Sequence, residues 1–266
     1  MTAFIDYHIH THHSFDCKIP MAEMCAAAIE AGISEIAFSD HFNNHLLDID
    51  LGYYDPERYF TDLERCRRQF PNLTIRAAVE VGEPHRWQRK IQPVLERYPY
   101  DVVLGSLHWV GNNNMFSNDY FRGNPPQVAF GAYFTELARM AAHGGFNILA
   151  HVDLPKRVGF EVYGAFDIRP FEDSIRATWQ ACIDNDIALE LNTKGLRSAA
   201  AEIHPAQEAL RWYVEMGGRL LTFGSDAHRA NNIGGGFEVA RQSALSVGLS
   251  RVCRFEGGRI VGWSDL

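Results

Sequence analysis

Twelve histidines are spread through the 266 residues, and most of those that stand in pairs have an acidic residue close by. The chain reads HIHTHHSFD at 8–16, SDH at 39–41, VEVG at 79–82, SLHW at 106–109, AHVD at 150–153 and GGRLLTFGSDAHR at 217–229. Imidazole and carboxylate without thiolate form a ligand set suited to zinc, manganese or iron. A turn needs neither group, so an apolar run that ends on Asp226 and His228 points to metal chemistry.

Such ligands act only if the fold gathers them. Short apolar runs alternate with longer amphipathic segments along the chain, the rhythm of repeated strand–helix units. Seven runs read as strands: AFIDYHIHT, SEIAFSDH, LTIRAAVEVG, DVVLGSLHW, NILAHVD, IALELNT and LLTFGSDAH. The helical patterns between them begin with PMAEMCAAAIEAG, where Pro20 suits a first turn and Gly32 a C-terminal cap. PERYFTDLERCRRQF, PHRWQRKIQPVLERY, AYFTELARMAAHGG, PFEDSIRATWQACIDN and HPAQEALRWYVEMGG follow.

Seven parallel strands predict an α/β fold, a distorted (β/α)7 barrel that is TIM-like, with an open doubly wound sheet as the competing arrangement. Both place chemistry at the carboxyl ends of the strands. Long connections at 42–55, 111–126 and 154–170 are expected to wall or cover a site. The tail VCRFEGGRIVGW reads as a hairpin turning at Gly257 and Gly258 that caps or closes the barrel.

A 46% hydrophobic composition allows a full core, and with no linker or low-complexity tract residues 1–266 read as one domain. The formal charge of -8 opposes a broad grip on nucleic acid or an anionic membrane, so the expected partner is a small molecule; the oligomeric state stays open. Five scattered cysteines with no C-x-x-C pair indicate neither a disulfide framework nor a thiolate zinc site. There is no signal-peptide pattern at the start and no stretch near the ~20 apolar residues of a bilayer span, which reads as cytoplasmic.

The strand ends carry the candidate ligands. His8, His10 and Asp16 follow the first strand, Asp40 and His41 the second, Glu80 and Glu83 the third, and His108 the fourth. His151 and Asp153 end the fifth, Asn192 the sixth, and Asp226 and His228 the seventh. In H-x-H and in S-D-A-H the pleat puts the outer residues on one face, so two such pairs at one mouth could grip cations from opposite sides. Six of seven strands ending this way argues for about three ions. Asp40 reads as a residue that orients an imidazole, and Asp153 also as a simple cap. His12, His13, His45, His85, His143 and His204 read as hydrogen-bonded structural histidines. A basic signal adds Lys194 and Arg197 after the sixth strand and Lys156 and Arg157 after the fifth; arginine's planar fork matches phosphate oxygens in pairs.

Taken in order, HIHTHHSFD, FSDH, VEVG, GSLHW, AHVD and GSDAH resemble the motifs of the PHP (polymerase and histidinol phosphatase) family over nearly the whole chain. The resemblance implies a distorted (β/α)7 barrel with three divalent metal ions (Zn, Mn or Fe). It assigns His8, His10, Glu80 and Asp226 to one ion, Glu80 with His108 and His151 to a second, and Asp16, His41 and His228 to the third. Asp16 stands where some relatives have histidine. ELNTKGLR is similar to the segment of the histidinol-phosphate phosphatases that binds phosphate, which points to Arg197 and, more loosely, Arg157. VEVGEPHR departs from those relatives after Glu80, near the substrate pocket.

The reaction implied is hydrolysis of a small phosphomonoester, L-histidinol phosphate first, by a metal-bridging hydroxide without a phosphoenzyme. Glu80, Asp226, His228 and Asp40 are the expected catalytic residues, with His228 or a water oriented by Asp40 assisting the leaving alkoxide. Another small phosphate or a nucleotide bisphosphate is the alternative substrate. Amide or lactone hydrolysis and an inactive metal-binding module rank lower, and a polymerase-associated nuclease would want a basic stripe that is absent.

Overall fold

The computed structural model describes residues 4–266, so Ala3, the first residue of the predicted opening strand, lies outside the described residues. The strands are β1 (Phe4–Ile9), β2 (Ile33–Phe38), β3 (His41–Phe42), β4 (Thr74–Gly82), β5 (Val102–Ser106), β6 (Trp109–Val110), β7 (Asn113–Asn114), β8 (Ile148–Leu149), β9 (Ala188–Asn192), β10 (Leu221–Gly224), β11 (Arg251–Glu256) and β12 (Arg259–Asp265). Seven of them run parallel in the order β1-β2-β4-β5-β8-β9-β10, with β3 added beside β4. A parallel bridge between Ile9 and Ala227, with His10 N donating to Ala227 O at 2.9 Å, returns β10 to β1. The sheet is thus a nearly closed seven-stranded barrel wrapped by helices, and not an open doubly wound sheet.

Strands covered by helices on one side and by the barrel interior on the other are apolar throughout. Ile36, Val79, Val102, Leu104, Ile148, Leu189 and Leu191 accordingly have no solvent exposure. The six helices expected from the sequence occupy Met21–Glu30, Pro56–Gln69, Pro84–Arg97, Pro126–His143, Glu172–Asp184 and Gln207–Glu215. Pro20 stands just before its helix and not in the first turn, while Gly32, at φ +72°, takes the left-handed position that ends it. No helix among the described residues is long and apolar enough to cross a membrane, and all five cysteines are buried and unpaired.

Three helices escape the sequence patterns. The segment 154–170, read as a loop, contains the helix Lys156–Tyr163, and 111–126 contains the short helix Asn118–Arg122. Lys156–Tyr163 holds Gly159 where a Cβ would strike the ring of Phe130, so packing and not propensity places it. Phe237–Ser246 buries Phe237, Ala240 and Ala244, a stripe of mostly small residues.

The C-terminal hairpin turns at Gly257 and Gly258, both at positive φ. Arg254 binds Glu35, Glu256 binds Arg76, and Asn147 donates to Gly258 O, all near the amino-terminal ends of β2, β4 and β8. It caps the mouth of the barrel opposite to the histidines.

Candidate metal centre

Glu80 on β4 is fully buried, and five imidazoles converge on its two oxygens. Oε1 lies 2.8 Å from His151 Nε2 and 3.4 Å from His108 Nε2. Oε2 lies 2.7 Å from His41 Nδ1, 3.4 Å from His8 Nε2 and 3.6 Å from His10 Nε2. Asp226 Oδ1 stands 3.5 Å from His10 Nε2, and Asp16 Oδ2 is 2.9 Å from His228 Nε2 and 3.7 Å from His41 Nε2. His8, His10, Asp16, His41, Glu80, His108, His151, Asp226 and His228 therefore meet at the carboxyl-end mouth. The H-x-H and S-D-A-H pairs do not face each other from opposite sides. Because β10 closes on β1 they lie side by side across that seam, with the His10 and His228 rings 4.1 Å apart.

The local chemistry fits cations. His8 Nε2 and His10 Nε2 are 3.1 Å apart, while their Nδ1 atoms are engaged by Glu190 Oε1 at 2.6 Å and Ser14 Oγ at 3.0 Å. Two imidazole lone pairs facing at that separation need a proton or a cation between them. Burial by itself would lower the His8 pKa, but the carboxylates of Glu190, Glu80 and Asp226 hold it well above the usual value. His10, buried beside His228 and His41, is held well below it. Burial opposes the charge on Glu80, yet His41, His8, His108 and His151 keep its carboxyl well below the carboxylate range. Glu80 Oε2, His41 Nδ1 and His228 Nε2 are buried without an aligned hydrogen bond. The ligand atoms of His8, His10 and Asp226 lie within 4.8 Å of one another, as do those of His41, Glu80 and His108, and of His10, His41 and His228. Imidazole and carboxylate atoms left unsatisfied by protein partners are what divalent ions of the zinc, manganese or iron type require.

Further residues aim these groups, and the strand-end reading missed most of them. Glu190 on β9 holds His8 Nδ1, and its Oε2 accepts from His151 N at 2.7 Å and Asn192 Nδ2 at 3.1 Å. Its one sequence signal is an acid inside the apolar run IALELN, at inward parity with Asn192. Gly224 on β10 leaves the room: a Cβ there would overlap Glu190 Oε1 and stand 2.6 Å from His8 Cβ. Glu83 Oε1 accepts from His108 N at 2.7 Å and Trp109 N at 2.9 Å, which fixes the loop bearing His108; burial pushes its carboxyl up to about 7. His151 at φ +25° and Asp226 at φ +51° adopt backbone that non-glycine residues avoid, a strain held by these contacts.

Two of the expected catalytic residues also hold their neighbours. Asp40 accepts from Thr11 N, Thr11 Oγ1 and Ser14 Oγ at 2.6, 2.8 and 2.7 Å, and through Ser14 it positions His10. His228 Nδ1 is 3.1 Å from Asp226 O and 3.3 Å from Lys194 Nζ, and its Nε2 lies 2.9 Å from Asp16 Oδ2.

The basic residues divide. Lys156 is fully buried, with Nζ on Asp153 Oδ2 and Ile203 O, and is structural; Asp153 faces Lys156, His204 and Ala206 N, away from the ligands. Arg157 reaches the mouth, where Nη2 lies 3.2 Å from Asp226 Oδ2 while Nε donates to His204 Nε2 at 2.8 Å. His204 in turn donates to Asp153 Oδ1, so this histidine, read as merely structural, anchors the arginine. Lys194 Nζ is 2.8 Å from Asp226 Oδ1, and Arg197 Nη2 donates to Ser225 O at 2.6 Å. All three border a cavity of about 780 Å³ that reaches Glu80, and the three long connections supply much of its wall, including Asp48, Asp50, Phe116 and Val158. His45 and His85 keep their structural reading, stacked on Trp109 and bonded to Glu136.

Comparison with known proteins agrees with this geometry. The family described as PHP domain matches residues 6–194. The chain is 28% identical over 260 residues to a protein of Clostridium acetobutylicum named "Probable histidinol-phosphatase", covering 93% of this chain and 95% of that one. It is 23% identical over 259 residues to "Histidinol-phosphatase" of Lactococcus lactis subsp. lactis, covering 96% of each. Among solved structures, histidinol phosphate phosphatase from Lactococcus lactis, complexed with zinc, L-histidinol and phosphate, superposes with a TM-score of 0.87 at 21% identity, covering 97% of this chain and 99% of the other. That likeness shows the barrel fold.

Proposed function

We propose that this chain, which belongs to the PHP domain family, is a metal-dependent phosphatase whose substrate is L-histidinol phosphate, cleaved to L-histidinol and phosphate. Residues 1–266 act as one phosphoesterase domain in this reading. Three divalent ions, zinc or else manganese or iron, would be held by His8, His10, Glu80 and Asp226; by Glu80, His108 and His151; and by Asp16, His41 and His228. When bound they would supply an acidified water and positive charge opposite the phosphoryl oxygens. The protein's own groups do the rest. Glu190, Ser14 and Asp40 keep the Nε2 atoms of His8 and His10 turned inward. Arg157 and Arg197 bind the phosphate, each with guanidinium N–H groups beyond those its protein partners take. Lys194 balances Asp226 and adds charge on the phosphate side.

The observation that carries the reading is the placing of Glu80, ringed by imidazoles, in the same cavity as Arg157, Lys194 and Arg197. Metal ligands alone would suit an amide or lactone hydrolase equally well; the basic wall favours a phosphate. The cavity's size suits a small molecule, and Trp109, Phe116 and Asp48 offer apolar and anionic surface for a cationic imidazole–amine body. The test compares kcat/KM for histidinol phosphate with a panel of small phosphomonoesters and a nucleotide 3′,5′-bisphosphate, on protein of measured metal content, with and without chelator. Preference for histidinol phosphate by at least an order of magnitude and loss with chelator are the expected results. Equal rates across the panel would remove the substrate assignment, and no phosphate release from any of them would remove the phosphatase.

A further inference from the structure

Another cluster of metal-ligating side chains lies outside this mouth. His12 and His13 continue the loop after β1, and both Nε2 atoms stand 3.2 Å from one oxygen, Oδ2, of Asp62 on the helix Pro56–Gln69. The three ligand atoms lie within 4.8 Å of one another. Only the His13 contact is aligned as a hydrogen bond. His12 Nε2 is out of line with the carboxylate and its Nδ1 is buried without a partner, so protein hydrogen bonds satisfy neither nitrogen. Arg65 Nη2 takes the other Asp62 oxygen at 2.7 Å and fixes Oδ2 toward the imidazoles, while the His13 ring seats edge-on against Tyr59.

The spacing has room for a tetrahedral ion. Around a tetrahedral ion with bonds of ~2.0–2.1 Å, ligand atoms stand ~3.3 Å apart. Both N···O separations, 3.2 Å, are close to that figure. Two imidazoles and one carboxylate suit zinc. The cluster borders a cavity of about 800 Å³ whose wall includes Asp55, Glu57 and Thr61, through which an ion can enter and a water can fill the fourth position.

We propose that His12, His13 and Asp62 form a separate zinc site that clamps the loop carrying Asp16 to the helix Pro56–Gln69. Wild-type protein, His12→Ala and Asp62→Asn are dialysed against the same zinc buffer and their zinc per chain is measured. Wild-type crystals equilibrated in that buffer supply an anomalous map at the zinc edge. Both variants should hold one zinc fewer than wild type, and the map should show a peak within ~2.1 Å of the three side chains. Equal zinc in all three proteins, or no peak between those side chains, overturns the proposal. The readout is a difference between variants and a position in a map, so it is independent of the substrate and of how many ions the larger site takes. Asp62→Asn keeps the shape of the side chain, and it carries the comparison together with the wild-type map should His12→Ala fail to fold.

Discussion

Glu190→Gln tests whether the orienting carboxylate, and not only the ligands, sets metal affinity. Glu190 Oε2 accepts from His151 N and Asn192 Nδ2, and Oε1 accepts from His8 Nδ1 at 2.6 Å. The first two partners can only donate, so a glutamine must keep its oxygen toward them and turn its amide nitrogen to His8. Donor then meets donor unless His8 shifts its proton to Nε2, the atom that faces Glu80 and His10. An imidazole protonated at Nε2 has no lone pair for an ion there. Loss of such an orienting partner weakens metal binding about 10- to 100-fold, or ~1.4–2.7 kcal/mol. The short, buried contact places this change at the upper end. Zinc and manganese affinities come from competition with a chromophoric chelator, and turnover is followed as phosphate release over a metal titration. Half-saturation should move up on the order of 100-fold, with most of the turnover recovered at excess metal. A wild-type titration curve for Glu190→Gln would refute the tautomer argument and with it His8 Nε2 as a ligand.

Glu80→Ala removes the carboxylate on which five imidazoles converge and should lower kcat/KM on the order of 10²- to 10³-fold while reducing bound metal; near-normal turnover would reject its bridging role. His204→Phe deletes the acceptor of Arg157 Nε and should raise KM on the order of 10-fold, with metal content unchanged; an unchanged KM, or a fall in kcat alone, would separate Arg157 from phosphate binding. Burial, and then the neighbouring Arg157, lower the His204 pKa from 6.5 to about 3. The unfolded chain takes up that proton near 6.5 and the folded chain only near 3, so the fold loses stability as pH falls through this window, by at most ~1.4 kcal/mol per pH unit. Urea midpoints between pH 7.5 and 4 should therefore fall less steeply for His204→Phe than for wild type, and equal slopes would contradict the assignment. Gly224→Ala drives a methyl group into Glu190 and His8, so a cost of about 1–3 kcal/mol in stability together with weakened metal binding is expected; a thermally unchanged variant with full metal content would show that the site can give way.

Several features of this protein are local and were legible without coordinates. Strand periodicity and the ends of apolar runs yield the seven barrel strands, and the rule that parallel barrels work at their carboxyl ends singles out His8, His10, Glu80, His108, His151, Asp226 and His228, because each lies at or just beyond the carboxyl end of a barrel strand. The turn at Gly257 and Gly258 is equally local. Tertiary structure alone decided what depends on partners far apart in the chain. Glu190 meets His8 across 182 residues, Arg157 meets His204 across 47, and Asp62 meets His13 across 49. Closure of β10 onto β1 set the H-x-H and S-D-A-H pairs side by side and not facing, and the helix Lys156–Tyr163 seats Gly159 against the ring of Phe130. Residue type and spacing along one strand record which way a side chain points, but its hydrogen-bond partner is set by where the neighbouring strands and loops come to rest, and a one-dimensional pattern carries no term for that distance.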